Sequence, residues 1–206
     1  MQESTEDELI TRVGRGDLDA LAELFARYRD RLWKLITFRL DPRLLGRVDV
    51  DDVLQEAWLD ACQRVDHFLT DASRSIFIWF RLIACQTLVN IHRRHLGVKK
   101  RSASIEFSID RGWKSASTSS ALYFHLQGGL TSPSEAAVRA ERALQLSRAL
   151  EDLRDIDREV VALRHFEQLT NRETAQVLGI SEQAASDRYV RALGKLRSML
   201  GSLDGL

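Results

Sequence analysis

A chain of 206 residues with 44% apolar and 29% charged residues can bury a sizeable core and has an ordinary globular composition. Thirty basic and thirty acidic residues give a formal net charge of zero, which rules out inferring a nucleic-acid or membrane partner from bulk charge. Cys62 and Cys85 lack a CxxC spacing, no apolar run approaches a membrane span, and the acidic start "MQESTEDEL" is unlike a secretory leader, so a reducing, cytoplasmic setting is expected.

Two prolines, few glycines and little alternating pattern predict an all-α fold. Thr5 and Glu8 stand at capping-box spacing and open a short first helix. Asp17, at the end of "GRGD", can cap a long second helix in which Leu21, Leu24, Phe25, Tyr28, Leu32 and Ile36 keep a helical period. That helix should stop near Asp41-Pro42, because the residue before a proline disfavours the α region.

A third helix is expected over roughly 50–67, and its two sides differ. In "DVDDVLQEAWLDA" (residues 49–61), Val53, Leu54, Ala57, Trp58 and Ala61 share one side, while Asp52, Gln55, Glu56 and Leu59 occupy the other. With Asp49, Asp51 and Asp60 nearby, the outer side reads either as a solvated face with acids near a helix N-terminus or as a dock for a basic partner. No histidine stands at ligand spacing, so metal binding or catalysis is not expected there.

"LTDASRS" breaks the chain before a fourth helix, from about Ile76 to His95. It starts with Phe77, Trp79 and Phe80, and Arg93, Arg94, Lys99, Lys100 and Arg101 follow within nine positions of one another. No acid appears between Ile76 and Ala103, so phosphate contacts are available despite overall neutrality. The aromatics suit core packing, and one or two of them could instead stack on an unpaired base. His92 and His95 have no third ligand in sequence and read as members of a basic helix.

Residues 102–132 are rich in serine and glycine and predict a flexible linker, although Trp113, Leu122, Tyr123, Phe124 and Leu126 are unusual in a spacer. "SPSE" restarts order, with Ser132 as cap, Pro133 in the first turn and Glu135 closing the box. Helices to about Leu153 and over Asp155–Gln168 follow. The organisation is thus two small helical domains, 1–101 and 133–206, joined by a linker.

The stretch "TNRETAQVLGISEQAASDRYVRAL" has the punctuation of a helix-turn-helix. Thr170 and Glu173 form a capping box, Gly179 suits the turn, and Ser181 can cap a second helix to about Leu200. On that helix Ala185, Tyr189, Ala192, Leu193, Leu196 and Leu200 form the apolar stripe. Gln183, Ser186, Asp187, Val190 and Arg191 face outward with Arg188 and Lys195 on the flank, an arrangement fit for major-groove reading.

No P-loop, GxGxxG, HExxH or GxSxG pattern occurs, so neither an enzyme nor a bound cofactor or metal is expected. Taken in order, these segments resemble the sigma factors of bacterial RNA polymerase, in particular the two-domain extracytoplasmic-function type of the sigma-70 family. "DDVLQEAWLDA" is similar to region 2.2, "FIWFRLIACQTLVNIHRR" to regions 2.3 and 2.4, and residues 149–197 to region 4.

The resemblance implies an alternative sigma factor with three surfaces. Asp52, Gln55, Glu56 and Leu59 would bind the clamp helices of core RNA polymerase. Phe68, Trp79, Arg81, Gln86, Asn90, Arg93, Arg94, Lys99 and Lys100 would recognise and open the minus-ten element. Gln183, Ser186, Asp187, Arg188, Val190, Arg191 and Lys195 would read the minus-thirty-five element. An anti-sigma protein is a further implied partner.

This chain departs from the family pattern at Gln86, where asparagine is usual, and at Ser186, where a basic residue is common and Asp187 follows. Two other readings fit parts of the sequence. One is a stand-alone helix-turn-helix regulator with an N-terminal ligand or dimerisation domain; the other is an interaction adaptor that no longer binds DNA.

Overall fold

The computed structural model describes residues 4–70, 75–96, 148–150 and 152–201, with side chains as far as 198. Among them the regular elements are helical: α1 (Glu6–Val13), α2 (Leu18–Arg39), a 3-10 turn at Pro42–Leu44, α3 (Val50–Thr70), α4 (Ile76–Leu96), α5 (Asp155–Val161), a π turn at Ala162–Phe166, α6 (Asn171–Leu178) and α7 (Glu182–Gly201). Two compact units result, one of residues 1–37 and 44–97, the other of 38–43 and 98–206. The expected linker, the Ser132 cap, Lys99, Lys100 and most of "LTDASRS" lie outside the described residues.

In the first unit, helix starts follow local chemistry. Thr5 Oγ1 accepts from the Glu8 amide at 3.3 Å, and Glu8 Oε2 accepts from the Thr5 amide at 2.9 Å, closing the box on α1. Asp17 Oδ1 accepts from the amides of Asp19 and Ala20 at 3.0 and 3.1 Å and so caps α2. The Ala20 amide and the Arg12 guanidinium hold the Asp17 carboxyl below its usual value. Asp49 does the same work for α3, accepting from the Asp51 amide at 2.9 Å. That helix continues three residues past the expected end at 67, which keeps Phe68 in the core.

The core of this unit is built around α4, which is buried on nearly every side as far as His92. A helix that is apolar all round belongs inside a bundle, and this explains its weak amphipathic pattern. Phe25 of α2 sits 5.3 Å from Trp58 of α3 and edge-on to Phe80 of α4 at 5.1 Å. Tyr28 packs on Phe77 at 5.2 Å, and the Arg31 guanidinium covers the Phe77 ring at 3.5 Å. Cys62 is half-buried and Cys85 buried, and no disulfide joins them; burial pushes the Cys62 thiol up, away from the reactive thiolate.

In the second unit Leu150, Leu153, Val161, Ala162, Ala192 and Leu196 form the core with Phe38. Within it Arg39 is buried and pairs with Glu159 at 2.5 Å and with Glu167. One continuous helix over Asp155–Gln168 is expected from sequence, but the ladder widens after Val161. The Glu167 amide reaches back five residues to the Ala162 carbonyl at 3.1 Å, and Gln168 takes φ 57°. The widened turn ends the helix and carries Leu169 into the interior, where it is 3% exposed.

The helix-turn-helix is closed by three local devices. Thr170 and Glu173 make the expected box, at 3.2 and 2.7 Å, and Gly179 adopts φ 63°, ψ 36° at the turn. The Ser181 hydroxyl then accepts from the Ala184 amide at 3.1 Å. On α7, Ala185, Ala192 and Leu196 are buried and Tyr189 is half-buried. Leu193 is 40% exposed, contrary to its expected place on the stripe. It lies about 80° round the helix from Ala185, on the rim of the apolar face.

Candidate docking and nucleic-acid surfaces

On α3 the burial of Val53, Leu54, Ala57 and Ala61 turns the opposite side outward. Asp52, Gln55 and Glu56 are exposed there, and Leu59 is 54% exposed at the centre of that face. A large aliphatic side chain in water, rimmed by carboxylates, is an unusual combination for a purely solvated surface. Glu56 also carries an interaction that sequence spacing cannot reveal, because its partner is 38 residues away: Arg94 Nη2 donates to Glu56 Oε2 at 2.6 Å.

The residues expected at the minus-ten element divide sharply by exposure. Phe68 and Trp79 face each other inside the bundle, ring centroids 5.2 Å apart, and Arg81 is 3% exposed. Phe77 and Phe80 are also core. In the free chain these side chains pack, so the expectation that an aromatic of this group stands ready to stack on a base does not describe this state. The reason is the apolar circumference of α4, which leaves it no outer face in its first turns. Gln86 is half-buried and accepts from Arg64 Nη1 at 2.5 Å. Asn90, Arg93 and Arg94 are exposed where α4 emerges from the core. His92 is buried while His95 is exposed, so the two do not share a surface. No group of three or more potential metal ligands occurs among the described residues.

On α7 the outward residues fall into two groups. Gln183, Asp187, Val190 and Arg191 are exposed in one stripe, and Gln183 Nε2 donates to Asp187 Oδ1 at 2.8 Å. Ser186 is half-buried beside them. Arg188 turns inward instead: Nη1 donates to Asp157 Oδ1 of α5 at 2.9 Å, and its side chain is 23% exposed. Arg154 holds the other Asp157 oxygen at 2.9 Å. Burial alone would raise the Asp157 carboxyl, but hydrogen bonds from Arg188 and Arg154 outweigh it and hold the group below its usual value. Lys195 is likewise engaged, donating to the Asp152 carbonyl at 2.5 Å. Arg188 and Lys195 therefore brace α7 here, leaving the four-residue stripe as the open face. Asn171 adds a brace across the turn, Nδ2 donating to the Glu182 carbonyl at 2.7 Å.

A braced helix-turn-helix with an open polar stripe, on a chain that also carries an acidic apolar-centred face, places the protein among DNA-directed transcription proteins. The family model "Sigma-70, region 4" matches residues 149–198. The chain is 25% identical over 195 residues to the ECF RNA polymerase sigma factor SigW of Bacillus subtilis, covering 94% of this chain and 96% of that protein. It is 24% identical to the ECF RNA polymerase sigma-E factor of Escherichia coli, over 93% of this chain and 92% of that one. A solved structure of CnrH in complex with the cytosolic domain of CnrY shares the fold, with TM-score 0.51 at 24% identity, covering 94% of this chain and 96% of that chain. Residues 149–198 thus match region 4 of the sigma-70 family, and over nearly its whole length the chain is similar to extracytoplasmic-function sigma factors.

Proposed function

We propose that the chain is an alternative sigma factor, which binds core RNA polymerase, directs it to chosen promoters and helps to open them. The observation that carries this reading is the face of α3, where exposed Leu59 is rimmed by Asp52, Gln55 and Glu56. A regulator that binds duplex DNA alone has no use for such a surface, whereas the basic clamp helices of polymerase complement it in charge and give Leu59 a cover.

Asn90, Arg93 and Arg94, together with Lys99 and Lys100, supply phosphate contacts at the minus-ten element. Phe68, Trp79, Arg81 and Gln86 shape the wall behind them. Opening a base pair costs a few kcal/mol, offset by pocket and stacking contacts that form once a base leaves the stack. Gln183, Ser186, Asp187, Val190 and Arg191 read the minus-thirty-five element, with Arg188 and Lys195 holding the reading helix in place. Each DNA grip is modest by itself, and attachment to polymerase raises the effective concentration of the second once the first is made. The chemistry of RNA synthesis belongs to the polymerase; the chain contributes binding, and no cofactor is needed for it. An anti-sigma protein is the natural negative partner, and the site of action is the cytoplasm.

Reconstitution tests this directly. The full chain mixed with core polymerase and promoter DNA is expected to give promoter-specific initiation. Changing Asp52, Gln55 and Glu56 together to Ala is expected to abolish polymerase binding while the circular dichroism melt stays close to the parent's. Tight binding of duplex DNA by the chain alone, with no affinity for core polymerase at low ionic strength, defeats the reading.

A further inference from the structure

The open stripe of α7 carries a carboxylate where the target is a polyanion. Asp187 is exposed, six residues into the helix, in the part that a docked recognition helix turns toward base edges. Gln183 Nε2 donates to its Oδ1 at 2.8 Å. An ionised carboxylate only accepts hydrogen bonds, so this contact fixes the amide with its NH2 toward Asp187 and its carbonyl outward. Asp187 Oδ2 remains open, and Val190, one turn on, is 66% exposed. Arg191 spends Nε on the Asp187 carbonyl at 3.3 Å, which keeps its terminal nitrogens beside the stripe for phosphate.

From this arrangement we infer that Asp187 is the specificity-determining residue of the upstream contact and that it selects cytosine. The inference rests on the sigma-factor reading above. In the major groove only cytosine N4 and adenine N6 offer donors, whereas guanine presents N7 and O6 and thymine O4 as acceptors. A carboxylate facing those acceptors meets like charge and finds no proton. Adenine N6 is flanked on its own base by the N7 lone pair, while cytosine N4 is flanked by a C–H, so cytosine lets the carboxylate approach without a second repulsion. Gln183 holds Asp187 in the accepting pose, and Val190 provides an apolar contact for a thymine methyl on a neighbouring pair. The aspartate lowers affinity for DNA in general and restores it at one base, which makes it a discriminator.

The test is selection from promoters randomised in the upstream element, transcribed once by core polymerase with the full-length chain and read by sequencing the transcripts. The parent is expected to enrich cytosine at one upstream position by roughly fivefold or more. Asp187→Asn is expected to move that preference to adenine, which an amide engages through N6 and N7. Asp187→Ala is expected to flatten the position, and Gln183→Ala to weaken it while leaving its identity unchanged. Because both side chains are exposed, melts matching the parent's confirm folding. Specific initiation whose upstream motif lacks the cytosine, or ignores Asp187→Asn, overturns the inference and leaves the sigma-factor reading standing. Absence of any promoter-specific initiation by the parent overturns both.

Discussion

Asp157 sits 7% exposed between two arginines, and its charge is worth most where the protein works. A carboxyl held below its ordinary value contributes its full stabilisation above the unfolded pKa, about 3.9, and loses it as pH falls through the folded value. Acid melts of the full chain are expected to lose Tm below about pH 4, and Asp157→Asn to soften that fall. At neutral pH the same variant should be less stable by about 1.5–3 kcal/mol, the range for hydrogen bonds to charged groups. An acid limb as steep as the parent's contradicts this. Gly179 is a second residue with a defined cost. An added Cβ there meets nothing within 4 Å, but φ is +63°, so the penalty for Gly179→Ala is purely that of the backbone, about 1–2 kcal/mol. Urea titration should show a lower midpoint at an unchanged slope. The two residues also differ in legibility. Gly179 follows directly from its place between two caps, whereas the Asp157–Arg188 bond spans 31 positions and leaves no periodic or local trace.

At the level of elements, α3 and α4 show what patterning can and cannot carry. The outward side of α3 was readable because its period puts Val53, Leu54, Ala57 and Ala61 on one side and the acids on the other. Helix α4 was readable as a helix but not as a surface, since with apolar residues all round no period marks which side a ring will face. This is why Trp79 could be taken for a base-stacking group and is found packed on Phe68. The π turn after Val161 was equally invisible, because an i to i+5 bond needs no special residue. The Glu56–Arg94 pair links α3 to the exposed end of α4, with both side chains about half exposed. Exposed pairs contribute about 0–1 kcal/mol, so Glu56→Gln should melt within about 1 kcal/mol of the parent. Its affinity for core polymerase, measured by titration, should nevertheless fall. Loss of stability in step with loss of affinity argues that Glu56 serves the fold and not the docking.

For the whole molecule, zero net charge does not exclude DNA binding, because charge is distributed locally and no acid appears between Ile76 and Ala103. Arg93 and Arg94 are exposed together at the end of α4. Replacing both with Gln should reduce the slope of log K against log salt, for promoter binding by the reconstituted holoenzyme, by roughly 1.4–1.8. An unchanged slope removes them from the phosphate contacts. The serine- and glycine-rich stretch expected to separate two domains lies outside the described residues, and the grouping of Phe38–Arg43 with the second unit had no sequence signal. The open stripe of α7 has a further consequence. Gln183, Asp187, Val190 and Arg191 contribute no side chain to the core, and the caps and braces of the motif are made by other residues. On the proposed reading, descendants of this gene can therefore exchange those four positions and address new promoters without first having to recover a folded protein.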